Sequence, residues 1–129
     1  MIQLVKDTID NQDIDNLIEW LKTYPRLTKG NLTIEYEKKW SEFLGCKYSV
    51  FVNSGSSANL LMLYALIESG MIKVGDKVVV PAVSWSTDLT PVMQLGLEPV
   101  LCDCNMTDLS IDLENLQEII TTHKPSALI

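Results

Sequence analysis

The spacing of hydrophobic and polar positions changes several times along the chain, and each change marks an element. Ile14, Leu17, Ile18 and Leu21 stand at i, i+3, i+4 and i+7, one face of an amphipathic helix within residues 1–24 that closes near Tyr24-Pro25. A Gly-containing turn over 26–31 follows. A second helix then opens at Thr33 with Glu37; Ile34, Trp40, Phe43 and Leu44 form its predicted buried stripe, and Gly45 is its left-handed terminator. The run Val50-Phe51-Val52 predicts a strand that breaks at Asn53-Ser54-Gly55. Residues 56–69 continue as a helix apolar nearly all round, expected among the most buried.

Lys77-Val78-Val79-Val80 predicts a second strand, stopped by Pro81, which has no amide to give a ladder. In the next helix Ser86 or Thr87 is the expected cap, Asp88 suits the positive end, Pro91 is tolerable only in the first turn, and Gly96 closes it. Residues 99–102 form a third strand. Asp112 caps a helix whose Leu113, Leu116, Ile119 and Ile120 share a face, with Ile111 and Leu116 placed as a hydrophobic staple. After Lys124-Pro125 the residues SALI begin a fourth strand.

Strand and helix thus alternate as β-α-β-α-β-α-β, and the strands are too apolar to have a wet face. The expected class is α/β, with a mainly parallel sheet covered by helices on both sides. The expected division is a helical segment over 1–45 and a sheet-bearing part over 46–129. A strand that begins so close to Ile129 predicts a fold larger than this chain, and an unfinished sheet predicts an exposed edge and self-association.

Charge and composition narrow the partners. The 129 residues hold 10 Lys and Arg against 17 Asp and Glu, a net charge of −7, with no basic stripe for nucleic acid or an anionic membrane. No apolar run reaches the roughly 18–20 residues that span a bilayer, and the first residues lack a signal-peptide pattern. The expectation is a cytoplasmic protein. Three cysteines, Cys46, Cys102 and Cys104, are an odd number and read as reduced thiols.

The Ser-Gly-Ser-Ser turn carries the first candidate chemistry. A strand that stops in such a turn and feeds a helix leaves the first helical amides unpaired beside the positive end of the dipole, where an anion binds. Ser56 and Ser57 add hydroxyl donors. The turn is neither GxGxxG nor a Walker A loop, so it does not indicate a dinucleotide or a nucleoside triphosphate, and a ligand-free helix cap is an equally good account of these residues alone. Trp85 adds to the case: it follows a predicted strand at the end where open parallel sheets hold ligands, and its indole suits a planar phosphorylated ligand. The bland alternative is a half-buried packing residue. Cys102-Asp103-Cys104 lacks two further ligands for a metal. His123 sits in a polar helix tail, and Glu114/Glu118 and Asp13/Asp15 read as solvated faces.

Four ordered stretches, LTKGNLTIEYEKKWSEFLG, VFVNSGSSANLL, VGDKVVVPAVSWSTDLTPVMQLGLEPVLCD and LSIDLENLQEII, carry a resemblance over roughly residues 24–129. They resemble the N-terminal part of the DegT/DnrJ/EryC1/StrS family of sugar aminotransferases and dehydratases, which have the aspartate aminotransferase fold and use pyridoxal phosphate. The resemblance implies a partial three-layer αβα large domain of that type I fold. It implies that Gly55, Ser56 and Ser57 hold the cofactor phosphate, that Trp85 stacks on the pyridine ring, and that Thr28 and Gly30 lie near the substrate.

The leading implied activity is transamination of a nucleotide-linked keto-sugar, with glutamate as amino donor, in a homodimer serving deoxyamino-sugar and polysaccharide biosynthesis. The alternative is an NDP-4-keto-6-deoxyhexose 3-dehydratase, since SGSSANLL is closer to that branch than the SGTAAL wording found elsewhere in the family. In the family the lysine, or histidine, that defines the reaction belongs to segments beyond residue 129, and none of Lys73, Lys77 or Lys124 sits in the matching context. The 129 residues alone are therefore expected to be inactive and to hold the cofactor weakly or not at all. A non-catalytic phosphate- or flavin-binding flavodoxin-like domain is the alternative of another class.

Overall fold

The computed structural model describes residues 6–129, so the beginning of the N-terminal reading, residues 1–5, lies outside the described residues. The chain forms two compact units, Met1–Phe51 and Val52–Ile129.

In the first unit, α1 (Asn11–Leu21) starts at a reciprocal capping box. The Asp10 carboxylate accepts the Asp13 N–H at 3.0 Å, and the Asp13 carboxylate accepts the Asp10 N–H at 3.1 Å. α2 (Asn31–Leu44) begins after Gly30, slightly before the predicted Thr33, and ends as expected at Gly45, whose φ of 69° is left-handed. The expected burial of its stripe is not found: Ile34, Trp40, Phe43 and Leu44 are all exposed. Periodicity fixes which side chains share a face, but burial needs another element on that face. What the stripe does form is a local aromatic cluster, with Tyr36 stacked on Trp40 at 6.1 Å and Phe51 edge-on to Tyr36 at 5.3 Å. The buried residue of α2 is Ser41, whose hydroxyl donates to that of Ser49 at 2.9 Å.

The second unit contains α3 (Gly55–Glu68), β1 (Lys77–Pro81), α4 (Ser86–Gln94), β2 (Glu98–Cys102), α5 (Leu113–His123) and β3 (Ala127–Leu128). The strands form a parallel sheet in the order β2-β1-β3, with Val79 opposite Val100 on one side and Leu128 on the other. Successive residues of β1 face opposite ways. Val78 and Val80 pack with Leu63, Ile72, Val92 and Leu97 beneath α3 and α4, while Val79 packs with Cys102 and Ile119 beneath α5. The expected α/β class with a sheet covered on both faces is therefore present, as three layers built on one buried central strand.

α5 follows its sequence signals closely. One oxygen of Asp112 accepts the N–H groups of Glu114 and Asn115, both at 2.9 Å, and Ile111 and Leu116 pack on the same buried cluster as a staple requires. Leu116 and Ile119 turn inward, whereas Leu113 and Ile120 stay exposed.

Three further expectations are corrected. Val50-Phe51-Val52 is not a strand: a strand exists through its ladder, and no neighbour among the described residues pairs with this segment, so the Phe51 N–H is taken instead by the Glu37 carboxylate at 3.0 Å. α3 is not deeply buried; Leu63 is, while Leu61, Met62 and Tyr64 face outward, because one sheet covers only one side of a helix. Pro91 lies in the second turn of α4 and not the first, since the helix starts at Ser86 with Trp85 as a cap that offers no side-chain hydrogen bond; Ser86 and Thr87 are inside the helix.

Candidate functional site

α3 begins where the chain leaves Asn53. Ser54 is its N-cap in extended conformation, and the Ser54 hydroxyl oxygen accepts the Ser57 N–H at 3.2 Å. The next turn closes normally, with the Ala58 N–H donating to the Ser54 carbonyl at 3.1 Å. The amides of Gly55 and Ser56 find no acceptor among the described residues, so two donors remain at the positive end of the helix. Gly55 is open around its α-carbon: an added Cβ would meet nothing within 4 Å. That leaves room for a ligand to approach the backbone.

Ser56 and Ser57 line a cleft of 270 Å³ with Leu60 and, from α4, Thr87, Thr90, Pro91 and Gln94. The two serines of the turn and one side of α4, from Thr87 to Gln94, therefore meet on one concavity. Trp85 stands at the start of that helix, just past the carboxyl end of β1, with its indole 70% exposed. The loop that carries it is fixed: the Ala82 N–H donates to the Cys102 carbonyl at 2.8 Å, and the Ser84 hydroxyl donates to the Pro81 carbonyl at 3.0 Å. Backbone geometry thus holds an exposed indole at the strand end where parallel sheets receive ligands.

Thr28 and Gly30 belong to the first unit. They line a separate hollow of 690 Å³ with Trp20, Arg26 and Lys29 among others. The Arg26 Nε donates to the Thr28 hydroxyl at 2.7 Å, and Lys29 pairs with Glu37 at 3.0 Å.

Sequence reasoning missed Asn59, one turn below the open amides of α3. Its side-chain amide donates to the Thr87 carbonyl at 3.2 Å and to the Asp88 carboxylate at 2.9 Å. The available signal was a lone amide within an otherwise apolar helix, read together with a proline at 91. Asp88, predicted to serve the helix dipole, spends one oxygen on this link.

The lysines considered earlier are placed away from this end. Lys77 opens β1 and Lys73 precedes it, while Lys124 precedes β3, which runs parallel to β1. All three stand at the amino ends of strands, and Trp85 follows a carboxyl end, about five residues at 3.3 Å each along β1 from Lys77. Among the described residues no three His, Cys, Asp or Glu side chains gather as metal ligands, and no helix is long and apolar enough to cross a membrane. Burial raises the Cys102 thiol above its ordinary value, helped by the negative charges of Asp112 and Asp103.

A three-layer α/β unit with an open helix start and an exposed indole at the carboxyl end of its central strand has the build of a phosphate-cofactor domain. Sequence comparison gives the family: residues 7–129 match the DegT/DnrJ/EryC1/StrS aminotransferase family, and the chain belongs to it. It is 42% identical over 120 residues to the GDP-4-keto-6-deoxy-D-mannose 3-dehydratase of Yersinia pseudotuberculosis, covering 92% of this chain and 30% of that protein. It is 27% identical to the UDP-4-amino-4-deoxy-L-arabinose--oxoglutarate aminotransferase of Shewanella sediminis, covering 93% of this chain and 30% of that one. Among solved structures it superposes on the E. coli GDP-4-keto-6-deoxy-D-mannose-3-dehydratase with bound hydrated PLP at a TM-score of 0.79 and 38% identity, over 93% of this chain and 31% of that one. The chain thus spans about 30% of the length of these relatives. Pyridoxal phosphate is the cofactor of the family.

Proposed function

We propose that this chain forms the phosphate- and ring-binding side of a pyridoxal-phosphate site in a GDP-4-keto-6-deoxyhexose 3-dehydratase. The observation that carries the choice of reaction is the difference in likeness: 42% identity to a 3-dehydratase against 27% to an aminotransferase over the same length of this chain. The aminotransferase reading, placed first from sequence, becomes the second reading, with glutamate as amino donor.

The residues present fit the cofactor. Two amides with no acceptor among the described residues and the hydroxyls of Ser56 and Ser57 form a donor set for a phosphate dianion, and Gly55 leaves it a path to the backbone. Trp85 supplies a flat face that fixes the plane of an aromatic ring. When bound, the cofactor supplies an electron sink for breaking a bond on the sugar carbon. The chain's own residues anchor and orient. The group that moves protons lies elsewhere in this reading, because Lys73, Lys77 and Lys124 stand at the opposite ends of their strands. Thr28 and Gly30 keep their role near the substrate, supported by the open hollow they line beside Arg26 and Lys29, cations suited to a diphosphate. Assembly as a homodimer in the cytoplasm belongs to the same proposal.

The test is product analysis with the complete protein, pyridoxal phosphate, glutamate and a GDP-linked 4-keto-6-deoxyhexose. Mass spectrometry should show loss of the 3-hydroxyl. A 4-amino sugar would establish the second reading. Tight binding of FMN without binding of pyridoxal phosphate would overturn both in favour of a flavodoxin-like domain.

A further inference from the structure

α4 contains a proline at a position where helices rarely hold one. Pro91 has no N–H, so the Thr87 carbonyl one turn earlier loses its helical donor. The structure fills that vacancy from another helix: one proton of the Asn59 side-chain amide goes to the Thr87 carbonyl and the other to the Asp88 carboxylate. Asp88 in turn donates its backbone N–H to the Trp85 carbonyl at 3.0 Å. A continuous hydrogen-bonded path therefore runs from α3, one turn below Gly55 and Ser56, to the residue that presents the exposed indole.

We propose that Asn59 is a positioning residue that sets Trp85 relative to the amides of Gly55 and Ser56. This deepens the cofactor reading above and rests on it: the distance between a phosphate anchor and a ring-stacking face has to match one rigid ligand, and Asn59 is the polar tie between the helices that carry the two. A lone amide among Leu60, Leu61 and Leu63 would otherwise be a poor choice for packing. The path also explains why Pro91 is compatible with α4, since its missing donor is replaced from α3.

Two roles of Asn59 can be separated with Pro91. Satisfying the Thr87 carbonyl is structural, and Pro91→Ala restores a backbone N–H that can do it. Tying α4 to α3 through Asp88 is positional, and no change at 91 replaces it. In the complete protein, Asn59→Leu should lower Tm, and the loss should be smaller when measured against Pro91→Ala. Cofactor geometry should not be rescued: against Pro91→Ala, the double variant Asn59→Leu/Pro91→Ala should bind pyridoxal phosphate up to roughly tenfold more weakly, the cost of ordering a Trp85 that is no longer held in place before binding. Its bound-cofactor circular dichroism should be altered. Asp88→Ala, which leaves α3 untouched, should give the same spectral change.

A second arm needs no cofactor. With 5-fluorotryptophan incorporated and Trp85 assigned by its Trp85→Phe variant, the Trp85 fluorine resonance of the apo protein should shift in Asn59→Leu/Pro91→Ala relative to Pro91→Ala. If that resonance and the cofactor spectrum both match Pro91→Ala, Asn59 serves packing alone and the proposal is overturned. If Trp85→Ala leaves the cofactor spectrum unchanged, the cofactor reading itself fails, and the fluorine arm still decides whether Asn59 positions Trp85.

Discussion

The carboxylate of Glu37 accepts the backbone N–H of Phe51 at 3.0 Å and the Lys29 ammonium at the same distance, with its side chain 15% exposed. Glu37 thereby holds in place a segment whose sequence reads as a strand and whose amide has no ladder to join. Its pKa is lowered from the ordinary 4.5, first by the Phe51 N–H and then by Lys29. A carboxyl with a lowered folded-state pKa stabilises above its unfolded value and loses that contribution as pH falls through the folded value. Stability measured by urea midpoint should therefore fall as pH drops below 4.5, and Glu37→Gln should flatten that acid limb. Glu35 and Asp108, also lowered, leave a residual slope. An unchanged limb in Glu37→Gln would show that ionisation of Glu37 contributes nothing to stability.

Asp112→Ala removes the acceptor of two α5 amides and should cost about 1 kcal/mol of stability, while Asp112→Asn should cost much less because Asn caps nearly as well. Chemical denaturation of the two variants side by side checks this. Equal losses would place the effect in charge and not in capping.

Gly96 follows α4 with φ of 70°, and a Cβ there would meet the Val74 side chain at 3.0 Å. Gly96→Ala should destabilise by roughly 1–2 kcal/mol through the left-handed backbone. Adding Val74→Ala should relieve only the steric part. Full recovery in the double variant would show that the conformation itself costs little.

Thiol labelling should proceed in a fixed order. Cys46 is exposed, Cys104 is intermediate, and Cys102 is fully buried with its pKa raised, which reduces the reactive thiolate. With a thiol reagent at pH 8 and mass mapping, Cys46 should react first and Cys102 only on the timescale of unfolding. Early labelling of Cys102 would mean that β2 and α5 separate readily in the native state.

Local signals were the ones the sequence carried well. Asp112 capped α5, Gly45 closed α2, and the Val78-Val79-Val80 run became the buried central strand, because each depends on a few adjacent residues and a period. The serine turn and Trp85 were legible for the same reason: a helix start and a strand end are local events. Asn59 was not, because its partners are 28 and 29 residues away and nothing in its own neighbourhood names them.

The sequence by itself determined the order of elements from α3 onward, the α/β class, and which residues stand at the open start of α3 and the carboxyl end of β1. Only the tertiary structure decided three matters. Val50-Phe51-Val52 is left without a ladder, since pairing is a property of two segments and not of one. The apolar faces of α2 and α3 remain partly bare, since burial depends on what lies opposite. And Pro91 sits inside α4, since the donor it lacks comes from Asn59 on another helix.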